Sequence, residues 1–283
     1  MHSRRTFLEI LTGGAALGAL SACGQQQMAA PGAQVALQLY SVRSSMAEDL
    51  QGTLGRVARM GLRRVETAFW PEHVSLGEAG RLLADTGLEV ISAHVELPVG
   101  EHRDAMLEAA DAYDCTRMVW HGWPEDERYA TLEGVRILAE EYNESHAFAS
   151  RNGLELYLHN HWWEFEDVEG QLPFYVLLEE LDEGVLFELD VWWAKVAGQD
   201  PARVVSDFGA RAPLLHIKDG KVLGTEGPMV AAGQGLQDFF AIAAAAAGHT
   251  AYLIIELDNC ETDMFSAIEQ SRTFLIENSL GAP

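Results

Sequence analysis

From Val35 onward, short apolar runs with β-branched and aromatic character alternate with longer stretches of helical period, and this alternation constrains the chain more than any other feature. The strand runs are Val35-Tyr40, Arg63-Thr67, Glu89-Ala93, Thr116-Trp120, Glu155-His159, Val185-Leu189, Leu214-Ile217 and Tyr252-Glu256. Helical segments between them include Asp49-Met60, Leu76-Thr86, Arg103-Tyr113, Leu132-Arg151 and Met264-Asn278. Three junctions, Met60-Gly61-Leu62, Thr86-Gly87-Leu88 and Asn152-Gly153-Leu154, repeat one device in which a helix stops at glycine and a strand begins. Eight such units, uninterrupted by any linker or charge block, predict an α/β fold: a single (β/α)8 barrel spanning residues 35–283. A doubly wound open sheet also alternates strands and helices, but it normally carries a Gly-rich phosphate loop after an early strand, and none is present.

The N-terminus obeys different rules. Ser3-Arg4-Arg5-Thr6-Phe7-Leu8 precedes an apolar, small-residue run from Ile10 to Leu20 that is too short to span a bilayer permanently. It ends in Leu20-Ser21-Ala22-Cys23, which resembles a lipobox, and the paired arginines resemble a twin-arginine export signal. Residues 1–23 are therefore expected to be an export signal, Cys23 the lipidated first residue of a periplasmic or cell-surface lipoprotein, and residues 24–34 a flexible tether.

The net charge of -24 repels phosphate backbones, which argues against a nucleic-acid partner. Beyond Cys23 only Cys115 and Cys260 remain, too few for a disulfide framework and expected at opposite ends of the barrel.

In such a barrel the working residues sit at the C-terminal ends of the strands. Here those ends are polar: Gln38 and Tyr40, Glu66, His94, His121, His159 and His161, Asp190, His216 and Lys218, and Glu256. Taken singly, each has an ordinary structural explanation, but all would be directed at one opening. His159, Asp190, His216 and Glu256 form a mixed N/O set for one divalent metal, better suited to Mn, Co, Zn, Fe or Ni than to Mg or Ca. Trp163 and Trp192 belong to an aromatic set near the strand ends that suits the C–H faces of sugar rings. With Gln38, Tyr40, Glu66, His94 and His121 they are the expected substrate contacts.

These residues lie in stretches that together resemble the sugar phosphate isomerase/epimerase-like barrels, also called the xylose isomerase-like TIM barrel superfamily. The stretches are Leu37-Gln38-Leu39-Tyr40-Ser41-Val42-Arg43, Leu158-His159-Asn160-His161-Trp162-Trp163-Glu164-Phe165 and Glu188-Leu189-Asp190-Val191-Trp192-Trp193-Ala194. They continue with Ala197-Gly198-Gln199-Asp200-Pro201, Leu215-His216-Ile217-Lys218-Asp219, Gly233-Gln234-Gly235 and Ile255-Glu256-Leu257-Asp258. The resemblance implies metal-ligand roles for Asp190, His216 and Glu256, with His159 at the fifth-strand position. The better-known sugar epimerases carry there a glutamate that both binds metal and moves a proton.

Histidine at that position leaves Glu256 as the only carboxylate base of the pair, which disfavours symmetric two-base epimerisation. The expectation is proton abstraction next to the carbonyl of a keto-sugar or sugar derivative through a metal-bound enediolate, with Glu256 as base and Lys218 and His161 as further catalytic residues. A lyase or dehydratase expelling water or an aglycone from a keto-sugar, keto-glycoside or cyclitol is the alternative. A carbohydrate-binding lipoprotein without turnover is the non-enzymatic one. Apurinic/apyrimidinic endonucleases share the superfamily, but export and acidity count against that chemistry. The oligomeric state stays open.

Overall fold

The computed structural model describes residues 32–124 and 126–283. The expected export signal and lipobox, and the tether as far as Pro31, lie outside the described residues. No helix among the described residues is long and apolar enough to cross a membrane.

Eight parallel strands close into a barrel: β1 (Gln34–Gln38), β2 (Arg64–Thr67), β3 (Glu89–Val95), β4 (Arg117–Trp120), β5 (Glu155–His159), β6 (Leu186–Asp190), β7 (Leu214–Ile217) and, after a short antiparallel hairpin of β8 (Asp219–Gly220) and β9 (Met229–Val230), β10 (Tyr252–Ile255). The order around the barrel is β1-β10-β7-β6-β5-β4-β3-β2, so the first and last barrel strands pair and no edge is left open. The chain is thus a single (β/α)8 TIM barrel, as the alternation predicts. The expected strands and helices are found with their ends shifted by one or two residues, except that β6 gives way at Val191 to a helix, Val191–Val196.

Most helix starts are written locally in the sequence. Ser75, Thr131, Asp190, Asp200, Asp238 and Asp263 accept backbone N–H groups at the first turns of the helices that follow them. At the other end, Gly87 stops Leu76–Thr86 in the left-handed conformation, φ 71°, which costs glycine no Cβ clash.

Because side chains alternate across a strand, the sheet has two faces with two separate cores. The outer face carries Leu37, Val65, Leu158, Phe187, Leu189, Leu215 and Ile255 against the helices in the main core. Inside, Ala36, Ile91, Val119, Tyr157, Leu214 and Ile254 form a small apolar plug. The interior positions above the plug are polar: His216 on β7 and Lys218 just beyond its end follow Leu214, and Glu188 and Asp190 follow Leu186 up β6. This gradient from apolar floor to polar mouth positions the site.

Candidate active site

Three interior columns meet at the mouth. Asp190, His216 and Glu256 come from β6, β7 and the end of β10, neighbours in the closed sheet, and their ligand atoms lie within 4.8 Å of one another. His216 Nδ1 is 2.7 Å from Glu256 Oε2 and 4.0 Å from Asp190 Oδ2. Asp190 is held by its place at a helix start: Oδ1 accepts the backbone N–H groups of Trp192 and Trp193, both at 2.9 Å. Its other oxygen, Oδ2, and His216 Nδ1 are buried without a well-formed hydrogen bond, although Lys218 Nζ lies 3.0 Å from the first and Glu256 Oε2 2.7 Å from the second. Buried polar atoms are rarely left so. Both atoms belong to this group, and the donors are two carboxylates and an imidazole that converge within 4.8 Å, so these residues fit a divalent metal ion of borderline character.

Lys218, two residues beyond His216, brings its Nζ to 2.8 Å from Glu256 Oε2, 3.0 Å from Asp190 Oδ2 and 3.1 Å from Asp258 Oδ2. It is buried, and Asp219, the next residue, is not among its partners. Asp219 does a different job: its two oxygens accept N–H groups from Gly220, Gly233, Gly235 and Gln237 at 2.8 to 3.1 Å. A Cβ at Gly235 would lie 2.2 Å from Asp219 Oδ1, so only glycine allows the Gly233-Gln234-Gly235 turn to wrap the carboxylate. This clasp anchors the chain directly beyond Lys218.

His159 is not gathered with the other three expected ligands. It stands in an overlapping group with His94, Glu188 and His216, its Nδ1 3.1 Å from Glu188 Oε1. His216 belongs to both groups. Its Nε2 faces inward, 2.7 Å from Glu66 Oε1 and 3.0 Å from Glu188 Oε1, which leaves Nδ1 for the mouth. Glu66 also accepts from Gln38 Nε2 at 2.8 Å and from Ser92 Oγ. A carboxylate behind a ligating imidazole fixes the ring and its tautomer. Glu188 was not among the expected site residues, although its spacing of two from Asp190 on an alternating strand marks it as facing the same interior.

The charges divide sharply. Burial by itself would raise the carboxyls of Glu66 and Glu256, but His94 and His216 beside the first, and Lys218 and His216 beside the second, hold both well below the usual carboxylate range. Burial wins at Asp190 and Glu188, whose carboxyls are raised. Burial would lower His216 and His94; facing carboxylates instead hold His216 well above its ordinary value and carry His94 to about 9. Burial, reinforced by nearby positive charge, keeps His159 and His161 well below the usual histidine value and therefore neutral at pH 7.

Above these groups opens a cavity of about 250 Å³. Tyr40, His94, His121, His159, His161, Trp163, Lys218 and Glu256 all line it, joined by Phe69, Trp123 and Trp162, which were not among the expected contacts. Three expected substrate contacts do not line it. Gln38 and Glu66 lie beneath, fully buried and bonded to each other, because the interior positions of β1 and β2 end one layer lower. Trp192 is 2% exposed and packs on Gly220, where a Cβ would be 2.6 Å from its ring. The strand turns into a helix at Val191, so strand alternation does not govern Trp192 and Trp193, and both are buried. Cys115 and Cys260 are both free; Cys115 is a buried packing residue whose thiol burial pushes up to about 11.

No family model and no curated protein matches this chain. Solved structures do. A sugar phosphate isomerase/epimerase from Parabacteroides distasonis superposes with a TM-score of 0.75 at 21% identity, covering 89% of this chain and 100% of that one. The probable 3-DHS dehydratase AsbF of Bacillus anthracis gives 0.66 at 10% identity, with 85% of this chain and 98% of that one. The IOLI protein, solved with a zinc atom bound, gives 0.66 at 13%, with 86% of this chain and 97% of that one. The chain therefore shares the fold of the sugar phosphate isomerase/epimerase and xylose isomerase-like TIM barrels, at identities that carry the architecture alone.

Proposed function

We propose that the protein is a divalent-metal-dependent enzyme of isomerase/epimerase-like type that removes a proton next to the carbonyl of a keto-sugar or sugar derivative. The observation that carries this reading is the convergence at the mouth of the buried ligand atoms of Asp190, His216 and Glu256, beside a buried lysine. Those three residues would hold the ion, with His159 at the side of His216, and a bound ion there supplies Lewis-acid polarisation of the carbonyl. The zinc atom in the similar IOLI barrel is in keeping with a metal.

Of the carboxylates that line the cavity, Glu256 contacts both His216 and Lys218, and it is assigned as the proton acceptor. Lys218 touches the same carboxylate and places a fixed positive charge where the carbonyl oxygen gains negative charge. His161, neutral and stacked on Trp163 with ring centroids 4.3 Å apart, lines the cavity and moves the second proton. Tyr40, Trp162 and Trp163 give the sugar ring apolar faces.

The second reading is a lyase or dehydratase, which the same cavity supports against symmetric epimerisation. Among the described residues the carboxylates lining the cavity are Glu256 and Asp258, both from the end of β10, and none faces them from another strand. One-base isomerisation and elimination are both compatible with that arrangement; symmetric epimerisation by two carboxylates is not. The similar AsbF barrel is named a probable dehydratase.

Elemental analysis of the purified protein, followed by product analysis on a panel of keto-sugars and keto-glycosides, tests both readings. One metal per chain, lost in Asp190→Asn, is expected; retention of full metal in that variant removes the site. Release of water or of an aglycone selects the lyase over the isomerase. Sugar binding with no turnover by the metal-loaded protein selects a carbohydrate-binding lipoprotein.

We also propose export through the twin-arginine signal and lipidation at Cys23, which the order Arg4-Arg5, apolar run, Leu20-Ser21-Ala22-Cys23 supports. Incorporation of labelled palmitate that disappears in Cys23→Ser is the expected result.

A further inference from the structure

The mouth has a second chamber. It holds about 200 Å³ and lies beyond the ends of β2 and β3, against the inner face of the helix His102–Tyr113. That helix presents His102, Ala105, Met106, Ala109 and Tyr113 at spacings of three and four, one continuous face. With Leu76 and Val95 they make a wall that is mostly apolar, with Glu96 as its one carboxylate among the described residues, where the catalytic cavity is lined by more histidines, a lysine and two carboxylates. The two chambers share Ala68, Phe69, His94 and His121, so they meet at a common wall.

Phe69 stands in that wall half exposed, at 50%, although it is a large apolar side chain. It is held on edge by Tyr40 and His121, with ring centroids 6.2 and 5.3 Å away. Trp123, 46% exposed, tilts toward it at 6.3 Å on the catalytic side, with its Nε1 donating to Glu96 at 3.3 Å. Apolar surface kept open at a mouth is stabilised by an occupant that covers it. A hydroxylated sugar ring fills the polar cavity and gains nothing from the apolar one.

We infer that the second chamber binds an apolar substituent, aryl or alkyl, carried by the same sugar whose ring sits at the metal site, so that the substrate class is a glycoside or ether of a keto-sugar with an apolar aglycone. This rests on the carbohydrate reading of the first cavity. Phe69 and His121 are the dividing wall across which the substrate lies, and Met106 and Ala109 are the floor of the aglycone site.

The test is calorimetric titration of the full-length, metal-loaded protein with the 3-keto derivatives of methyl β-D-glucoside and phenyl β-D-glucoside, and with free phenol. The phenyl derivative is expected to bind roughly tenfold tighter than the methyl one, the gain of burying a ring's apolar surface. Ala105→Phe, at an exposed helical position on the chamber side, is expected to bring that ratio close to one and to abolish phenol binding. Leu76→Trp, from the opposite wall, is expected to do the same, so the result does not hang on the folding of one variant. Equal affinities for the two keto-glucosides in the wild-type protein overturn the inference and leave the sugar reading standing. If neither keto-glucoside binds, the sugar reading fails, and phenol decides the chamber separately: binding lost in both variants keeps it as an apolar site, whereas no binding overturns it.

Discussion

At the scale of single residues, the site is built from atoms whose partners are fixed below and open above. His216 shows this best. Its inward nitrogen faces Glu66 and Glu188, and its outward nitrogen lies 2.7 Å from Glu256 Oε2 without a well-formed hydrogen bond. If Glu66 orients that ring, Glu66→Gln lowers metal affinity by roughly 10- to 100-fold without touching a ligand, measured by competition with a chromophoric chelator. Unchanged affinity would show that Glu188 alone sets the ring. Glu164 offers a second prediction. It is buried beside the cavity wall, and burial pushes its carboxyl up to about 8, against the N–H of His161 that it accepts at 2.9 Å. A folded-state value above the ordinary 4.5 means that the folded protein holds this proton more tightly than the unfolded chain. Its contribution to stability is therefore fully present below about pH 4.5 and is lost as the pH rises toward 8. Glu164→Gln is expected to remove that part of the slope, seen as a smaller fall in Tm between pH 5 and pH 8.5 than in the wild-type protein.

At the scale of elements, the loop after β7 carries as much of the site as the strand does. Lys218 is pinned by three carboxylates, and the residue after it is clasped by four backbone N–H groups that converge on Asp219. Amide in place of carboxylate turns one acceptor oxygen into a donor facing N–H groups. Asp219→Asn is expected to destabilise the protein by roughly 2 to 4 kcal/mol in urea titrations, since hydrogen bonds to a charged group are strong and an unpaired buried donor is costly. Gly235→Ala, which drives a Cβ into the same carboxylate, is expected to act in the same direction. The β6-to-helix junction is the other informative element. Asp190 ends a strand and starts a helix at once, and that double role takes Trp192 out of the cavity and onto Gly220.

At the scale of the whole molecule, closure of the barrel puts residues far apart in the chain, such as Glu66 and His216, in contact across one interior. A ligand that binds only this closed form stabilises all of it. Metal at about 100 times its Kd is expected to add about 2.7 kcal/mol, which for a domain of this size raises Tm by roughly 5 to 10 °C, and a chelator should reverse it. No shift with any of Mn, Co, Zn, Fe or Ni would argue against the centre. The repeated strand and helix runs determined the barrel, because hydrophobic period and helix caps are local properties that survive without tertiary contacts. They also put Asp190, His216 and Glu256 at adjacent strand ends, since strand order in such a barrel follows chain order. Which interior layer a residue occupies was not local. It depends on strand stagger around the closed barrel and on where a strand yields to a helix, so the folded structure decided that Gln38 and Glu66 lie beneath the cavity, that Glu188 joins His94 and His159, and that Trp192 turns away. The apolar chamber behind Phe69 arises in the same way, from a helix face and two strand ends that meet only when the barrel closes.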